Sequence, residues 1–169
     1  NYSLYGNTTN WETPTFNLLK DVKGTLPGFA VNVATGTNKL TLTGENTLNG
    51  TITYGLTSAN IANEGTLTVA AKPAPTTTYT VNSLANSGTV TVNGNLTITT
   101  TLTNTGTFVN AGKTTVTKTT TNGDATKKPA AVLTNTGAFI ATGALTNCEG
   151  ATINVNNTAA STGFTTTAP

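Results

Sequence analysis

A five-residue motif, Leu-x-Asn-x-Gly, recurs along this chain and is followed by apolar residues at every second position. Clear copies begin at Leu84, Leu102 and Leu133, a weaker copy begins at Ile61, and a copy with Gly and Asn exchanged begins at Leu42. This alternation is typical of strands with one buried face. A unit of about 20 residues with this pattern predicts one coil of a parallel β-solenoid, in which neighbouring coils bury their apolar faces against each other.

Each residue of the motif has a structural role in such a coil. The Leu and the later apolar residues point inward, and the Asn side chains form amide ladders with the Asn of the next coil. The Gly allows a positive φ at the corner. We expect one continuous core that includes Leu42, Leu67, Val90, Val92, Leu96, Ile98, Phe108, Phe139 and Ile153.

Composition favours strands throughout. The chain of 169 residues contains 45 threonines and 22 asparagines. Threonine and valine favour strands, and good helix formers are scarce, so we expect an all-β fold with almost no helix. A β-sandwich built from the same short strands is the alternative to a solenoid of about five or six coils.

The chain divides into three zones. Residues 1–38 lack the repeat and are rich in aromatic residues, which predicts an N-terminal cap over the open sheet edges. Residues 39–157 carry the solenoid repeats. Residues 158–169 resemble a linker, and with a first residue other than Met they suggest a segment of a larger chain.

The spacing of the motifs predicts two inserts. The intervals between motif starts are unequal, so we expect coils of unequal length, the shortest from Leu84 to Leu102 and the longest from Leu102 to Leu133. The long intervals contain a Lys-Pro-Ala-Pro stretch with a Thr run, at 72–78, and a Lys-containing stretch at 119–129. Because turns tolerate insertions better than strands do, both inserts should project as loops. As ligand-binding residues we expect Lys72, Thr77, Tyr79, Asn122, Asp124, Lys127 and Lys128.

Several classes of chemistry are excluded or disfavoured. Without histidine, neither a Ser-His-Asp triad nor an imidazole zinc site can form, and we expect no cofactor and no metal. The net charge is only +2 and all basic residues are lysines, which disfavours nucleic-acid binding. No apolar run is long enough to insert into a membrane. The single Cys148 reads as a half-buried filler.

One pair of acids keeps a carbohydrate-active enzyme open as an alternative. If Leu42 aligns with Ile61, Glu45 and Glu64 occupy the same position in neighbouring coils, about 5 Å apart. Paired carboxylates at such a distance are the groups that glycoside hydrolysis needs. Two solvated turn residues are the simpler interpretation.

The repeat also resembles those of a known family. The pattern Leu-x-Asn-x-Gly-x-Φ-x-Φ-x-Gly-x-Leu-x-Ile, present at 84–98, is similar to the repeats of filamentous-haemagglutinin-type and autotransporter-passenger adhesins of bacteria. The resemblance covers residues 40–156 and implies a right-handed parallel β-helix. It also implies a non-enzymatic, secreted module on the bacterial cell surface, acting as an adhesin stalk or ligand-presenting scaffold. Its partner would be a host surface, a glycan or another cell-surface protein.

Pairs of threonines at i and i+2 recur along the chain, for example at 66/68, 89/91 and 97/99. Stacked in a solenoid, they would resemble the ice-binding faces of Thr-rich antifreeze solenoids. Such a face needs equal coils to keep its rows aligned, and the motif intervals are unequal. We therefore expect the threonines to be solvent cover, without thermal hysteresis.

Overall fold

A computed structural model describes residues 3–4, 15–18, 23–26, 30–31, 39–42, 45–48, 60–71, 78–127, 130–156 and 163–166. These residues form strands and turns, and none of them lies in a helix, so none forms a helix that could cross a membrane. The expectation of an all-β fold is confirmed. Numbered in chain order, the strands are β1 (Ser3–Leu4), β2 (Thr15–Leu18), β3 (Lys23–Leu26), β4 (Ala30–Val31), β5 (Lys39–Leu42), β6 (Glu45–Leu48), β7 (Asn60–Asn63), β8 (Thr66–Val69), β9 (Thr78–Val81), β10 (Ser83–Asn86), β11 (Thr89–Val92), β12 (Asn95–Ile98), β13 (Thr101–Asn104), β14 (Thr107–Asn110), β15 (Lys113–Val116), β16 (Thr119–Asn122), β17 (Val132–Asn135), β18 (Ala138–Ala141), β19 (Leu145–Asn147), β20 (Thr152–Val155) and β21 (Gly163–Thr166).

Three parallel sheets form the walls of a β-solenoid. The first sheet has the order β2-β5-β7-β10-β13-β16-β19, the second β3-β6-β8-β11-β14-β17-β20, and the third β9-β12-β15-β18-β21. From β7 to β21, consecutive strands therefore visit the three sheets in turn, and five coils contribute a strand to each sheet. Among the described residues every strand pair is parallel, β1 with β4 included, which excludes the β-sandwich alternative. The right-handed sense implied by the resemblance stays a prediction.

The structural repeat is shorter than the sequence motif. From β10 to β16, each four-residue strand is followed by a two-residue corner, and three strands with their corners make one coil. Leu102 lies in the first sheet, whereas Leu133 pairs with Phe108 in the second sheet. The interval from Leu102 to Leu133 is therefore one coil plus one further strand with its insert. The prediction that this interval is a single long coil is wrong.

Both inserts occur at corners and leave the register of the walls unchanged. One separates β8 from β9, and the other separates β16 from β17. On the second sheet, Thr89 pairs with Thr66 across the first insert, and Thr107 pairs with Val132 across the second. Thr119–Asn122, predicted as part of a loop, is instead the wall strand β16, so this insert begins only at Gly123.

The core is continuous through the coils, as predicted. Eight of the nine predicted residues belong to one buried cluster, and the ninth, Ile153, packs against it half-buried. Strands such as β12 and β13 bury their second and fourth residues and turn the first and third outward. Phe139 joins successive layers, because its ring lies edge-on to Phe108 and stacked on Phe164.

The motif asparagines other than Asn135, which instead accepts a hydrogen bond from Asn110 on the second sheet, form the predicted amide ladder together with Asn122. The Nδ2 of each donates to the Oδ1 of the next, with distances of 2.8 Å from Asn63 to Asn86, 2.7 Å from Asn86 to Asn104, and 2.8 Å from Asn104 to Asn122 and from Asn122 to Asn147. The ladder begins at Asn63, whose Oδ1 is buried without a partner because Leu42 takes the equivalent place in the coil before. These bonds satisfy buried amides that would otherwise destabilise the core.

The motif glycines are needed for a reason other than the predicted positive φ. Among the described residues, only Gly123 and Gly150 have a positive φ. At Gly106, an added Cβ would lie 2.2 Å from the backbone oxygen of Gly88 in the neighbouring coil. At this position of the corner the neighbouring backbones lie too close for any side chain, so close approach fixes glycine here.

The sheets extend into both flanking zones. Within 1–38, the zone predicted as a cap, β2 and β3 pair in parallel with β5 and β6. Within the predicted linker, β21 pairs with β18, and its Phe164 ring stacks on Phe139 with centroids 5.0 Å apart. These segments lack the motif, but they contribute strands to the solenoid.

Candidate functional site

The insert at 123–131 is the loop that the structure describes most fully. It leaves the wall at Gly123, where φ is 100° and an added Cβ would lie 2.8 Å from the Cβ of Cys148. It returns at Ala131, which is fully buried and is followed by Val132, whose N–H donates to the oxygen of Gly106 at 2.9 Å. Both ends of the loop are therefore fixed to the solenoid, while Ala125, Thr126, Lys127 and Ala130 are exposed.

Asp124 organises the turn at the start of this loop. Its Oδ1 accepts hydrogen bonds from the hydroxyl of Thr126 at 2.6 Å, the backbone N–H of Thr126 at 2.8 Å and the backbone N–H of Lys127 at 3.2 Å. The two bonds from Thr126 and the bond from Lys127 lower the pKa of the Asp124 carboxyl, and the Lys127 charge adds to this effect. The carboxylate is therefore ionised at neutral pH, and its three hydrogen bonds stabilise the turn.

The predicted ligand-binding residues fall into three groups. Asp124 and Lys127 lie together in the loop, as expected. Lys72, Thr77 and Lys128 lie outside the described residues. Asn122 was expected in the second projecting loop, and that placement is wrong because it lies in β16. Tyr79, which follows the first predicted loop, lies in β9, and both side chains point inward.

The burial of Tyr79 and Asn122 has a simple cause. Each occupies the second or fourth position of a strand, which faces the core. Tyr79 is 2% exposed, and desolvation by burial raises the pKa of its hydroxyl. Asn122 is an interior member of the amide ladder. A surface ligand cannot reach either side chain without displacing the wall.

The two acids proposed for a glycosidase-like site are out of register. Leu40, not Leu42, pairs with Ile61, and Glu45 pairs with Thr66. Glu64 follows β7 in a corner, so it does not face Glu45 at the same coil position. Both side chains are exposed. The alignment that supported an acid pair is therefore wrong, so these two residues do not support a carbohydrate-active enzyme.

The outer face of the second sheet carries an ordered surface that the sequence analysis did not recognise. The first and third residues of β8, β11, β14 and β17 point outward and are half-buried. We call these eight residues the threonine–valine array, and its members are Thr66, Thr68, Thr89, Thr91, Thr107, Val109, Val132 and Thr134. The backbone pairing places them in two straight rows of four.

The other outer faces are less uniform. On the third sheet, the outward positions include Asn95 and Lys113, and these two line a shallow groove with Thr78, Thr97 and Thr115. On the first sheet, Ser83 and Ala85 interrupt the threonines. One strand with its corner is six residues long, so a search of the sequence at that period would have assigned each strand to its sheet. The Leu-x-Asn-x-Gly motif does not, because its copies occur on both the first and the second sheet.

Within the described residues, no three His, Cys, Asp or Glu side chains gather as a metal site requires. Cys148 is half-buried and not in a disulfide. No protein-family model matches this chain, and neither a curated protein nor a solved structure does. The insert at 123–131 and the outer faces of the sheets are therefore the candidate functional surfaces.

Proposed function

We propose that this chain is a non-enzymatic module of a bacterial surface protein, which works outside the cell as an adhesin stalk or ligand-presenting scaffold. One observation carries the proposal: the insert at 123–131 leaves the core and the wall register unchanged. A loop anchored in this way can differ in length and sequence without loss of the core, which is what a presenting scaffold requires.

The scaffold side of the proposal draws on the rigidity of the walls. Parallel strand pairing, a continuous apolar core and the amide ladder connect each coil to its neighbours, so the ends of the loop are attached to a rigid wall. A pre-ordered loop loses less conformational entropy when it binds a partner. Stacking at about 4.8 Å per coil also lengthens the module without a change in cross-section, as a stalk needs.

The binding side centres on the exposed part of the loop. Asp124 fixes the turn, and the exposed Lys127 follows it. The partner would be a glycan, a host-surface component or another cell-surface protein that contacts hydroxyl and ammonium groups. The insert at 72–77 lies outside the described residues and is proposed only from its sequence.

A glycan and host-matrix binding screen tests this function. The variant to compare replaces 124–130 by a short Gly/Ser turn and keeps Gly123 and Ala131, which connect the loop to the wall. We expect this variant to lose binding and keep its melting temperature. Lys127→Thr should weaken binding as well, whereas Lys113→Thr, which removes the same charge from the third sheet, should not. Binding that survives the loop replacement would contradict the loop assignment, and no binding by the wild type would contradict the function.

A further inference from the structure

The geometry of the threonine–valine array points to a ligand that is itself a two-dimensional lattice, and we propose that the array binds the surface of ice. In the array, neighbouring strands lie about 4.8 Å apart, and outward residues of one strand repeat at about 6.6 Å. Eight side chains thus form a regular grid over four coils. A small molecule would contact one or two points of this grid, whereas a periodic solid contacts all of them.

The grid is regular although the coils differ in length. Thr66 and Thr89, Thr89 and Thr107, and Thr107 and Val132 are each direct backbone partners on neighbouring strands. The chain segment between the partners is shortest for Thr89 and Thr107 and longer for the other two pairs. The extra residues lie in the corner inserts, one after the end of β8 and one before the start of β17, so they lengthen the corners and not the strands of the second sheet. The unequal intervals, which argued against this role in the sequence, therefore do not disturb the rows.

The chemistry of the array distinguishes ice from other periodic solids. Among the eight residues, none is charged, so the face has no groups to recognise an ionic mineral lattice. None is aromatic, and the array lacks the flat rings on which sugars stack. Threonine hydroxyls both donate and accept hydrogen bonds, as water molecules do. The methyl groups of threonine and valine form apolar strips beside the hydroxyls.

The array is also rigid before any ligand arrives. β-Branched side chains have restricted χ1 angles, and each strand of the array pairs on both sides. The inward residues of the same strands, such as Val90 and Phe108, are fully buried in the core. Little conformational entropy remains to be lost on binding, which favours adsorption to a rigid surface.

The edges of the array are marked by a change in chemistry. In the coil before it, the outward pair is Glu45 and Thr47, and in the coil after it the pair is Thr152 and Asn154. Glu45 is an exposed acidic residue, and Thr152 and Asn154 are exposed as well. The uncharged, β-branched part of the face is thus limited to the four coils of the array.

The test is microscopy of single ice crystals and thermal hysteresis, with the full chain at millimolar concentration. We expect faceted crystals and a measurable hysteresis gap for the wild type. Thr91→Tyr should abolish both, because a large ring in the middle of the array separates the flat face from the crystal. The matched control is Thr97→Tyr, at the same position of the next strand in the same coil but on the third sheet.

Circular dichroism and melting curves must show that both variants are folded like the wild type. Round crystals without hysteresis from the wild type would overturn the proposal, and so would equal loss in the two variants. Depletion of the protein by crystalline cellulose or chitin, reduced by Thr91→Tyr and not by Thr97→Tyr, would also overturn it, because the array would then bind a polysaccharide lattice.

Discussion

The interior coils, from β10 to β15, and the last coil, from β19 to β21, use the same three sheets but bury their side chains to different extents. In the interior coils, inward residues such as Leu102 and Val116 are fully buried. In the last coil, Leu145 and Ile153 are only half-buried, and Val155 is 48% exposed. Within the described residues, an interior coil has a neighbour on each side and the last coil has one. The same position of the repeat is therefore stabilised more in the interior than at the end.

The largest expected difference concerns two stacked phenylalanines. Phe139 is fully buried and contacts both Phe108 and Phe164, whereas Phe164 is half-buried in the last coil. Phe139→Ala should lower the free energy of unfolding by about 4 kcal/mol, and Phe164→Ala by about 1 to 2 kcal/mol. Urea denaturation measures both. Equal losses would mean that the last coil is as well packed as the interior.

Two glycines give a second comparison, Gly106 at a corner and Gly163 at the start of β21. Gly106→Ala places a Cβ 2.2 Å from a backbone oxygen, whereas the atom nearest to a Cβ at Gly163 is 4.0 Å away, at Thr165 Oγ1. We expect a loss of about 3 kcal/mol for Gly106→Ala and a change within about 0.5 kcal/mol for Gly163→Ala. Thermal melts of the two variants are the check. If Gly106→Ala melts with the wild type, the corners do not stack as closely as described.

The amide ladder should show the same gradient. Asn104→Ala removes the acceptor of the Asn86 amide and the donor to Asn122, and all three residues are buried. We expect a loss of about 2 kcal/mol. Asn147 is exposed at the end of the ladder, so water can replace its bond to Asn122, and Asn147→Ala should cost less than about 1 kcal/mol. Hydrogen exchange of the flanking amides, with urea melts, would separate the two cases.

Two buried threonines should respond in opposite directions to the same change. The hydroxyl of Thr120 is buried without a partner, whereas that of Thr114 donates to Asn110 Oδ1 at 2.8 Å. Thr120→Val should raise stability by up to about 1 kcal/mol, and Thr114→Val should lower it by about 1 kcal/mol. Destabilisation by Thr120→Val would show that the hydroxyl has a partner, such as a buried water.

The smallest effect concerns pH at the loop between β16 and β17, in the coil before the last. The Asp124 pKa is lowered by bonds from Thr126 and Lys127, so these bonds stabilise the loop above the ordinary aspartate pKa and are lost as the pH falls through the lowered value. We expect the amide shifts of Thr126 and Lys127 in NMR spectra to change only below the ordinary aspartate range. Asp124→Asn should remove this step. A step within the ordinary range would show that the turn is open in solution.

Much of the fold could be predicted from the sequence because the signal was periodic. Alternation identified the core residues, and the asparagines of the motif identified the ladder. Register could not be predicted by aligning motif starts, because both Leu102 and Leu133 begin a good motif although they lie in different sheets. A short strand and a short corner repeat three times per coil, so strands of different sheets have the same length and spacing in the sequence. The same motif can therefore occur on different sheets, and its spacing does not show which one.

The candidate surfaces were harder to predict for the same reason. Tyr79 and Asn122 border the inserts in sequence, but a shift by a single position along a strand decides whether a side chain is outside or inside. The threonine–valine array was missed because threonine is common on every outer face, and only the pairing of strands shows which threonines share a row.

Parallel coils keep their register across both inserts, and backbone NOEs in NMR spectra measure this register. We expect NOEs of parallel pairing between Thr66 and Thr89 and between Thr107 and Val132, the partners that flank the two inserts. NOEs displaced along the strand at either insert, or the close Hα–Hα NOEs of antiparallel pairing, would contradict it.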